Sequence, residues 1–344
     1  MKVFKLVLLC ILFWSSKLFA CSVFADRING QELMIGKNFD WHSKDGFLIK
    51  NPRGMTRQGL SDKSITWTSR YSSMSFNSIG PGFPISGMNE QGLVVETLVN
   101  GSESSAAIIA DSLISLEALQ MILDLAKTVD EAKAILDSHG LSQVIIPLHF
   151  MVCDKSGGCI AIETKDQKLM IQDLKKPYKV LANRYLSQDE ASFRQQHKGS
   201  LVASLARSSS YRYGTLAKLS KQQDPKSIDQ VFDWLDQARI PTLIKWQIVW
   251  LPGRGEFTWR VYDSPLKKSP KVTFSIPHAL DCTLDSSVLR IGSAREEFSP
   301  FTEKDQEASR KNLKKVMMLR APGTSTQMLD AIIKHTTTGT CQKS

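Results

Sequence analysis

The sequence is poor in the features that mark membrane, nucleic-acid-binding and zinc proteins. No apolar segment after residue 20 is long enough to span a bilayer, so the product is expected to be soluble or lipid-anchored. The 44 basic residues outnumber the 34 acidic ones but form no basic run with interleaved aromatic residues, which argues against nucleic-acid binding. The cysteines follow no common zinc-ligand spacing. We therefore expect no nucleic-acid partner, no metal and no cofactor.

Internal repeats, low-complexity tracts and clear linkers are also missing up to about residue 278. The length that remains after the first 20 residues is enough for a large domain with a sizeable core. The sequence therefore predicts one domain over residues 21–278 and an extension over residues 279–344. The role of the extension stays open among covering the domain, assembly and partner binding.

The first 20 residues have the plan of a secretory signal. Two lysines precede an apolar run over residues 7–14, and a short polar section ends at Ala20. The apolar run is too short to span a bilayer. We therefore predict that residues 1–20 are removed and that the protein is exported, to the periplasm or out of the cell.

Cleavage after Ala20 would make Cys21 the first residue, with a free α-amino group beside its own thiol. A thiol has an ordinary pKa of about 8.5 and an α-amino group one of about 7.7 to 8.0, so the amine can take the thiol proton near neutral pH. The same amine can return that proton to a leaving nitrogen. This pair of groups predicts a nucleophile suited to cutting amides.

Two other roles for Cys21 stay open. It could be half of a structural disulfide, or it could be the acylated cysteine of a bacterial lipoprotein. Leu18 is larger than signal peptidase prefers, and residues 18–21 partly resemble a lipoprotein box. The bulky Phe19 and the interrupting Lys17 argue against that box. The distinction matters because lipidation would consume the thiol.

Four further cysteines remain after the leader, and they fit an oxidising compartment. Cys153 and Cys159 flank a turn-rich segment between two strand-like runs, so a hairpin clip is their simplest pairing. Cys282 and Cys341 would then tie down the C-terminal tail. A zinc site is the alternative, which the spacing disfavours.

Periodicity predicts the order of the secondary structure. Residues 21–38 are predicted as two strands joined at Asn29-Gly30, a strong hairpin signal, which would bring Asp40 back towards Cys21. Further strands are predicted within residues 65–98 and at residues 148–153, 159–164, 169–172, 179–182, 245–250 and 256–262. Helices are predicted at residues 112–127 and 129–138, capped by Ser112 and Asp130, and at residues 188–195, 212–219, 228–237, 303–319 and 326–335. This order fits two helical layers covering two packed sheets.

Eight short motifs follow one another along residues 21 to about 270. They are Cys21 at the leader junction, Gly36–Trp41, Gly87–Leu93, Leu148–Phe150, Asp154–Gly157 with Ile162-Glu163, Val180–Asn183, Ser208–Tyr213 and Trp259–Asp263. In this order they resemble the choloylglycine hydrolase family, which contains conjugated bile salt hydrolases and penicillin V acylases and belongs to the N-terminal nucleophile (Ntn) hydrolases. The resemblance implies an α+β fold, a four-layer αββα sandwich of the Ntn-hydrolase type, here with a C-terminal extension.

The resemblance also implies a catalytic role for five residues. Cys21 matches the nucleophile, and Asp40 matches the aspartate that holds its amino group. Asn183 matches the side-chain donor to the oxyanion, and Arg212 matches an arginine whose charge favours the thiolate. Val99 stands where the family uses a backbone N–H for the oxyanion. Outside the resemblance, Asp40, Asn183 and Arg212 would be assigned to a turn, a loop and a helix surface.

The sequence departs from the family pattern at two positions. Lys37 stands where most members have an arginine, and it keeps the charge but loses the bidentate fork. Val99 replaces the asparagine of bile salt hydrolases and the tyrosine of penicillin acylases, which argues against a close copy of a bile salt hydrolase pocket. Lys37, Phe39, Trp41 and Phe83 are predicted to contact the substrate, with the three aromatic residues forming apolar walls for an acyl group.

These observations predict an exported cysteine amidohydrolase that acts on a linear non-peptide amide. By resemblance, the candidate substrates are N-acyl homoserine lactones, penicillin V and conjugated bile salts, and an apolar pocket favours long-chain N-acyl amides. The resemblance also allows a homotetramer. Two alternatives remain, a lipid-anchored binding protein with Cys21 acylated, in contact with the membrane, and an acyltransferase on the same scaffold.

Overall fold

The computed structural model of the chain describes residues 20–60, 65–104, 112–144, 146–175, 179–195, 208–282, 287–291, 297–320, 326–335 and 340–341. Within these ranges the strands β1 to β21 are, in order, Ser22–Ile28, Glu32–Asp40, Gly46–Asn51, Met55–Gln58, Thr66–Thr68, Ser73–Asn77, Ser86–Asn89, Val94–Val99, Leu113–Ile114, Leu141–Ser142, Leu148–Cys153, Cys159–Lys165, Lys168–Asp173, Val180–Leu181, Ile244–Leu251, Glu256–Ser264, Lys267–Lys268, Val272–Ser275, Ser287–Ile291, Ser299–Pro300 and Thr340–Cys341. The helices α1 to α7 are Ser115–Leu125, Val129–His139, Leu186–Gln195, Ser209–Gln222, Ile228–Ala238, Glu303–Arg320 and Thr326–His335. None of these helices is long and apolar enough to cross a membrane.

Most strands belong to two large sheets. The first sheet has the order β14-β1-β2-β15-β16, with β17 and β18 both pairing with β16. The second sheet has the order β13-β12-β11-β8-β7-β6-β3-β19-β20. The predicted hairpin at Asn29-Gly30 is confirmed, since β1 and β2 pair through it and both residues have positive φ, a conformation that Asn and Gly tolerate best.

The two sheets pack face to face through aromatic side chains. Phe76 of the second sheet lies 5.9 Å from the rings of both Trp246 and Trp250 of the first sheet, and 5.5 Å from Phe257. Gly46 permits a close approach, because a Cβ atom there would lie 2.5 Å from the Trp246 ring. The main apolar core therefore lies between the sheets.

Helices cover the outer face of each sheet. On the second sheet, the Asn89 side chain at the end of β7 donates to the carbonyls of Leu123 and Ala126 at the end of α1. On the first sheet, Asn38 of β2 donates to the Leu235 carbonyl of α5, and Phe24 of β1 packs on Trp234. The predicted α+β, four-layer αββα sandwich is confirmed.

The predicted helix caps are wrong. Helix α1 begins at Ser115, and the Ser112 hydroxyl instead bonds Ser142, where the short strands β9 and β10 pair. Helix α2 is capped by Thr128, whose hydroxyl accepts from the Glu131 N–H. Serine, threonine and aspartate all serve as caps, so the sequence offered several candidates near each helix start. The residues chosen were not those at the true helix ends.

The C-terminal extension is joined to the sandwich at several points. Strand β19 pairs with β3 at the edge of the second sheet, and β21 pairs with β4. Leu313 of α6 and Ile332 of α7 are buried in the main core. The sulfur atoms of Cys153 and Cys159, and those of Cys282 and Cys341, lie at disulfide distance, and these are the two pairs that the sequence predicts.

Candidate active site

Cys21 lies immediately before β1, between two strands of the first sheet. Strand β1 pairs with β14 through Val23 and Leu181, and the same register carried two residues further places Cys21 opposite Asn183. On the other side, the Ala20 N–H donates to the Asp40 carbonyl at 3.3 Å. Cys21 is 2% exposed, and it is still joined to Ala20 here.

Burial raises the pKa of the Cys21 thiol to about 11. The positive charges of Lys37 and Arg212 oppose this rise, whereas the Asp40 carboxylate adds to it. With its amino group tied up in the peptide bond to Ala20, the thiol has no base of its own. With Cys21 joined to Ala20, the thiol is therefore protonated at neutral pH.

Asp40 ends strand β2 as a fully buried carboxylate. One oxygen, Oδ1, accepts from the Ile240 N–H at 3.3 Å, and the other, Oδ2, has no hydrogen-bond partner among the described residues. Burial raises the pKa of Asp40 to about 7, and the Arg212 charge opposes the rise. A buried carboxylate with one unpaired oxygen is a ready acceptor for a nearby cation.

Arg212 joins the main chain of Cys21 to the side chain of Asn183. It lies in the first turn of α4, is buried, and donates to the Cys21 carbonyl and, at 2.8 Å, to Oδ1 of Asn183. The structure thus brings together Cys21, Asp40, Asn183 and Arg212, which the sequence places up to 191 residues apart. Their catalytic roles stay predictions.

The contact with Arg212 fixes which way the Asn183 amide points. A guanidinium group has only donors, so the atom that faces it must be Oδ1. Nδ2 then faces the second sheet, where it donates to the Val99 carbonyl at 2.7 Å. An amide NH₂ has two hydrogens, and the described hydrogen bonds use one of them. The second can serve a ligand.

The Val99 N–H points to the same side as this amide. The neighbouring Asn100 N–H donates to the Pro147 carbonyl, so Val99 and Leu148 form the next, non-hydrogen-bonded pair of the β8–β11 ladder. Both main-chain polar groups of Val99 therefore point away from β11. On the side of β8 that faces away from β11, the pairing of β8 with β7 ends at Glu96. The position suits the oxyanion role predicted for the Val99 N–H.

Lys37 lies fully buried between the two sheets. Its ammonium group is 2.7 Å from Glu96 Oε2 and donates to the carbonyls of Ile85 at 2.6 Å and Thr97 at 2.9 Å. These three partners use all three of its hydrogens. A contact with substrate stays a prediction, and it would require breaking one of these bonds.

Sequence reasoning missed Glu96. Its other oxygen accepts from Trp250 Nε1 at 2.6 Å and from the Ser86 hydroxyl at 2.7 Å, so it links the two sheets. The signal was present, because Glu96 is the only charged residue in the buried run of β8. A carboxylate in such a run needs a partner.

The three aromatic residues predicted to line an acyl pocket are packed in the core, and two of them, Phe39 and Trp41, flank Asp40 in the chain. Phe39 stacks on Trp41 at 5.3 Å and on Trp246 at 4.5 Å. Trp41 is 8% exposed, and Phe39 and Phe83 are more deeply buried. Their contact with substrate stays a prediction.

Within the described ranges, no group of three or more His, Cys, Asp or Glu residues is placed to hold a metal ion. His149, which could have been a ligand, lies buried in β11 and bonds Glu163 through Nδ1 at 3.1 Å. The chemistry that these residues can support is acyl transfer, with a thiol, a carboxylate and fixed hydrogen-bond donors.

Comparisons with known proteins agree with this chemistry. A sequence model described as "Linear amide C-N hydrolases, choloylglycine hydrolase family" matches residues 21–200. Among solved structures, penicillin V acylase from Agrobacterium tumefaciens is similar with a TM-score of 0.68 and 23% identity, over 82% of this chain and 98% of that one. No curated protein sequence matches.

Two mutant structures of a conjugated bile acid hydrolase from Clostridium perfringens are also similar. One has a TM-score of 0.65 and 18% identity, over 82% of this chain and 99% of that one. The other has a TM-score of 0.58 and 17% identity, over 76% and 99%. At these identities the structural likeness shows the fold.

Proposed function

The chain belongs to the choloylglycine hydrolase family of linear amide C–N hydrolases, and from this premise we propose that it is an exported enzyme that cleaves an N-acyl amide through a thioester on Cys21. One observation carries the proposal: Arg212 ties the main chain of Cys21 to the Asn183 amide, which turns its Nδ2 towards Val99. A thiol, a fixed amide donor and a buried carboxylate, Asp40, meet at one point.

Removal of the leader activates the site. Cleavage after Ala20 replaces a peptide nitrogen by an α-amino group, which has an ordinary pKa of about 7.7 to 8.0 and can take the thiol proton. The resulting ammonium group pairs with Oδ2 of Asp40, the oxygen that has no hydrogen-bond partner among the described residues. That ion pair returns Asp40 to its charged form at neutral pH.

The reaction then runs in two acyl-transfer steps. Sγ of Cys21 bonds to the acyl carbon while its proton passes to the α-amine, and Nδ2 of Asn183 and the Val99 N–H hold the oxyanion. The oxyanion collapses, the C–N bond breaks, and the α-ammonium gives its proton to the leaving nitrogen. Water, deprotonated by the same amine, then hydrolyses the thioester and releases a carboxylic acid.

For the substrate, we propose a long-chain N-acyl amide as the first choice. The support is the aromatic cluster of Phe39, Trp41 and Trp246 that begins one residue before Asp40. N-acyl homoserine lactones, penicillin V and conjugated bile salts are the compounds to test.

The first experiment is the intact mass and N-terminal sequence of the full chain after expression in a secreting bacterial host. A start at unmodified Cys21, with hydrolysis of one of the three compounds by the wild type and none by Cys21→Ala, supports the proposal. A Cys21 heavier by a diacylglycerol and a fatty acid refutes it and favours a lipid-anchored binding protein. Its 2% exposure argues against that outcome, since an acylated side chain has to leave the core. Transfer of the acyl group to an added amine instead of water would indicate an acyltransferase.

A further inference from the structure

A buried carboxylate behind Asn183 has no part in the chemistry described so far. Asp189, in the first turn of α3, is fully buried, and its two oxygens accept from the hydroxyls of Ser209 at 2.7 Å and Ser210 at 2.9 Å. Arg184 lies 3.9 Å from it. Three donors or cations around a buried carboxylate hold it firmly in place.

The Ser209 hydroxyl connects the fixed Asp189 carboxylate to the main chain of Asn183. Ser209 Oγ donates to Asp189 and also accepts from the main-chain N–H of Asn183 at 2.7 Å. A hydroxyl has one hydrogen, so once Asp189 takes it, the lone pairs of Oγ must face the Asn183 N–H. Asp189 therefore sets the direction of the Ser209 hydroxyl, and Ser209 sets the position of the Asn183 backbone.

The first turn of α4 makes a second contact with Asn183, through the Arg212 side chain. Ser209 and Arg212 are three residues apart and lie on one face of the helix, and Arg212 donates to Oδ1 of Asn183 at 2.8 Å. The Asn183 carbonyl accepts from the Gly101 N–H at 2.6 Å. Main chain and side chain are thus fixed together, which sets where the Nδ2 hydrogens point.

We propose that Asp189 is a positioning residue for the hydrolysis, acting through Ser209 on the oxyanion donor Asn183. The inference rests on the proposed function, because it takes Asn183 to be that donor. Asp189 touches no reacting atom; it limits the freedom of a group that does. Pre-positioned donors matter because a small misplacement of a catalytic group lowers the rate steeply.

The test compares two neighbouring serines. Ser209→Ala and Ser210→Ala each remove one hydrogen bond to Asp189, but only Ser209→Ala also removes the bond to Asn183. Both variants are expected to lower the melting temperature by similar amounts. Ser209→Ala is expected to lower kcat about 10- to 100-fold with little change in KM, whereas Ser210→Ala keeps kcat within about twofold of wild type.

Asp189→Asn provides the second variant. Its single oxygen carries no charge and cannot accept from both hydroxyls as the carboxylate does, so Ser209 is held less firmly; a loss of kcat no larger than that of Ser209→Ala is expected, and combining the two should add little. The substrate is whichever of the three compounds above the wild type cleaves. The rate at which iodoacetamide alkylates Cys21 should stay unchanged in Ser209→Ala and Ser210→Ala, because neither substitution alters the thiol or removes a charge near it.

The outcomes separate this inference from the function on which it rests. If the wild type cleaves none of the compounds, or if Cys21→Ala remains active, the proposed function fails and the inference fails with it. If the wild type is active and depends on Cys21, but Ser209→Ala and Ser210→Ala have the same kcat, only the positioning role of Asp189 is refuted.

Discussion

The buried ion pair between Lys37 and Glu96 offers the sharpest test of how the two sheets are held together. Both side chains are 0% exposed, and their nitrogen and oxygen atoms are 2.7 Å apart. Lys37→Met keeps the length of the apolar stem and leaves a buried carboxylate without its cation. Glu96→Gln keeps the volume but turns an NH₂ donor towards the ammonium group.

Burial decides the size of the effect. Removing one partner of a buried ion pair costs roughly 3–5 kcal/mol, because the remaining charge has neither water nor a partner. The pair of Lys44 and Asp263 has the same 2.7 Å distance, but its side chains are 38% and 44% exposed. For such an exposed pair the loss is about 1 kcal/mol or less. Lys44→Met is therefore a control matched in distance at an exposed pair, whereas Lys37 is buried and also donates to two main-chain carbonyls.

The assay is equilibrium unfolding in urea, followed by circular dichroism with the disulfides intact. We expect Lys37→Met and Glu96→Gln each to lower the free energy of unfolding by roughly 3–5 kcal/mol, and the double variant by less than the sum of the two. Equal losses for Lys37→Met and Lys44→Met would refute the reasoning, since burial would then have no effect on the strength of the pair.

The same two variants should move the reactivity of Cys21 in opposite directions. The Lys37 charge lowers the pKa of the thiol, so Lys37→Met should raise that pKa in the leader-free protein. Glu96→Gln removes the negative charge that compensates Lys37 and should lower it. Iodoacetamide alkylation followed against pH would show the two shifts. A shift in the same direction for both variants would mean that they act by disturbing the fold.

Three further predictions concern the site and the tail. Asn183→Ala should lower kcat about 10²- to 10³-fold while alkylation of Cys21 stays unchanged, and an equal loss in both would indicate a general collapse of the site. In the uncleaved chain, burial raises the pKa of Asp40 from 3.8 to about 7, so stability that is fully present below pH 3.8 is lost as the pH rises to 7. Asp40→Asn should abolish that loss between pH 4 and about 7, as urea midpoints would show, and an unchanged pH dependence would contradict the assignment. Replacing both Cys282 and Cys341, which are 59 residues apart, by serine should lower the free energy of unfolding by up to about 4 kcal/mol and leave kcat unchanged.

Local patterns in the sequence were enough to place Cys21 beside Asp40. The Asn29-Gly30 hairpin signal fixes the pairing of β1 with β2, and that pairing brings Asp40 back to the start of β1. The pairing of Cys153 with Cys159 was predicted from spacing in the same way, and Cys282 with Cys341 was the pair that remained. Short-range chemistry is visible in sequence because the interacting residues are separated by a single turn.

Long-range contacts could not be predicted from local sequence patterns. Both faces of β2 are buried, so no alternation of polar and apolar residues tells which face carries Lys37 and which carries Asn38. In the structure Lys37 points to the second sheet and Asn38 to helix α5. The contacts of Lys37 therefore depend on how the two sheets pack. The sequence predicted two packed sheets but not which residues face each other between them.

The start of helix α4 was also placed too late. Residues 208–210 are three serines, which are weak helix formers and typical of loops, and the helix was predicted to begin at Arg212. The structure begins the helix at Ser209, with the Ser208 hydroxyl accepting from the Tyr211 N–H as its cap. This earlier start is what brings Ser209 into contact with Asn183 and Asp189.

The burial of Ala20 and Cys21 bears on whether leader cleavage, as proposed, precedes folding. The two residues are 4% and 2% exposed, and the Ala20 N–H is bonded to the neighbouring strand. A protease needs its target bond extended and accessible, so the folded chain shields the Ala20–Cys21 bond, whose cleavage the proposed function requires. A copy that folds before cleavage keeps a blocked amine and a protonated thiol. Under the proposed mechanism, the relative rates of leader cleavage and folding decide whether each molecule becomes an active enzyme.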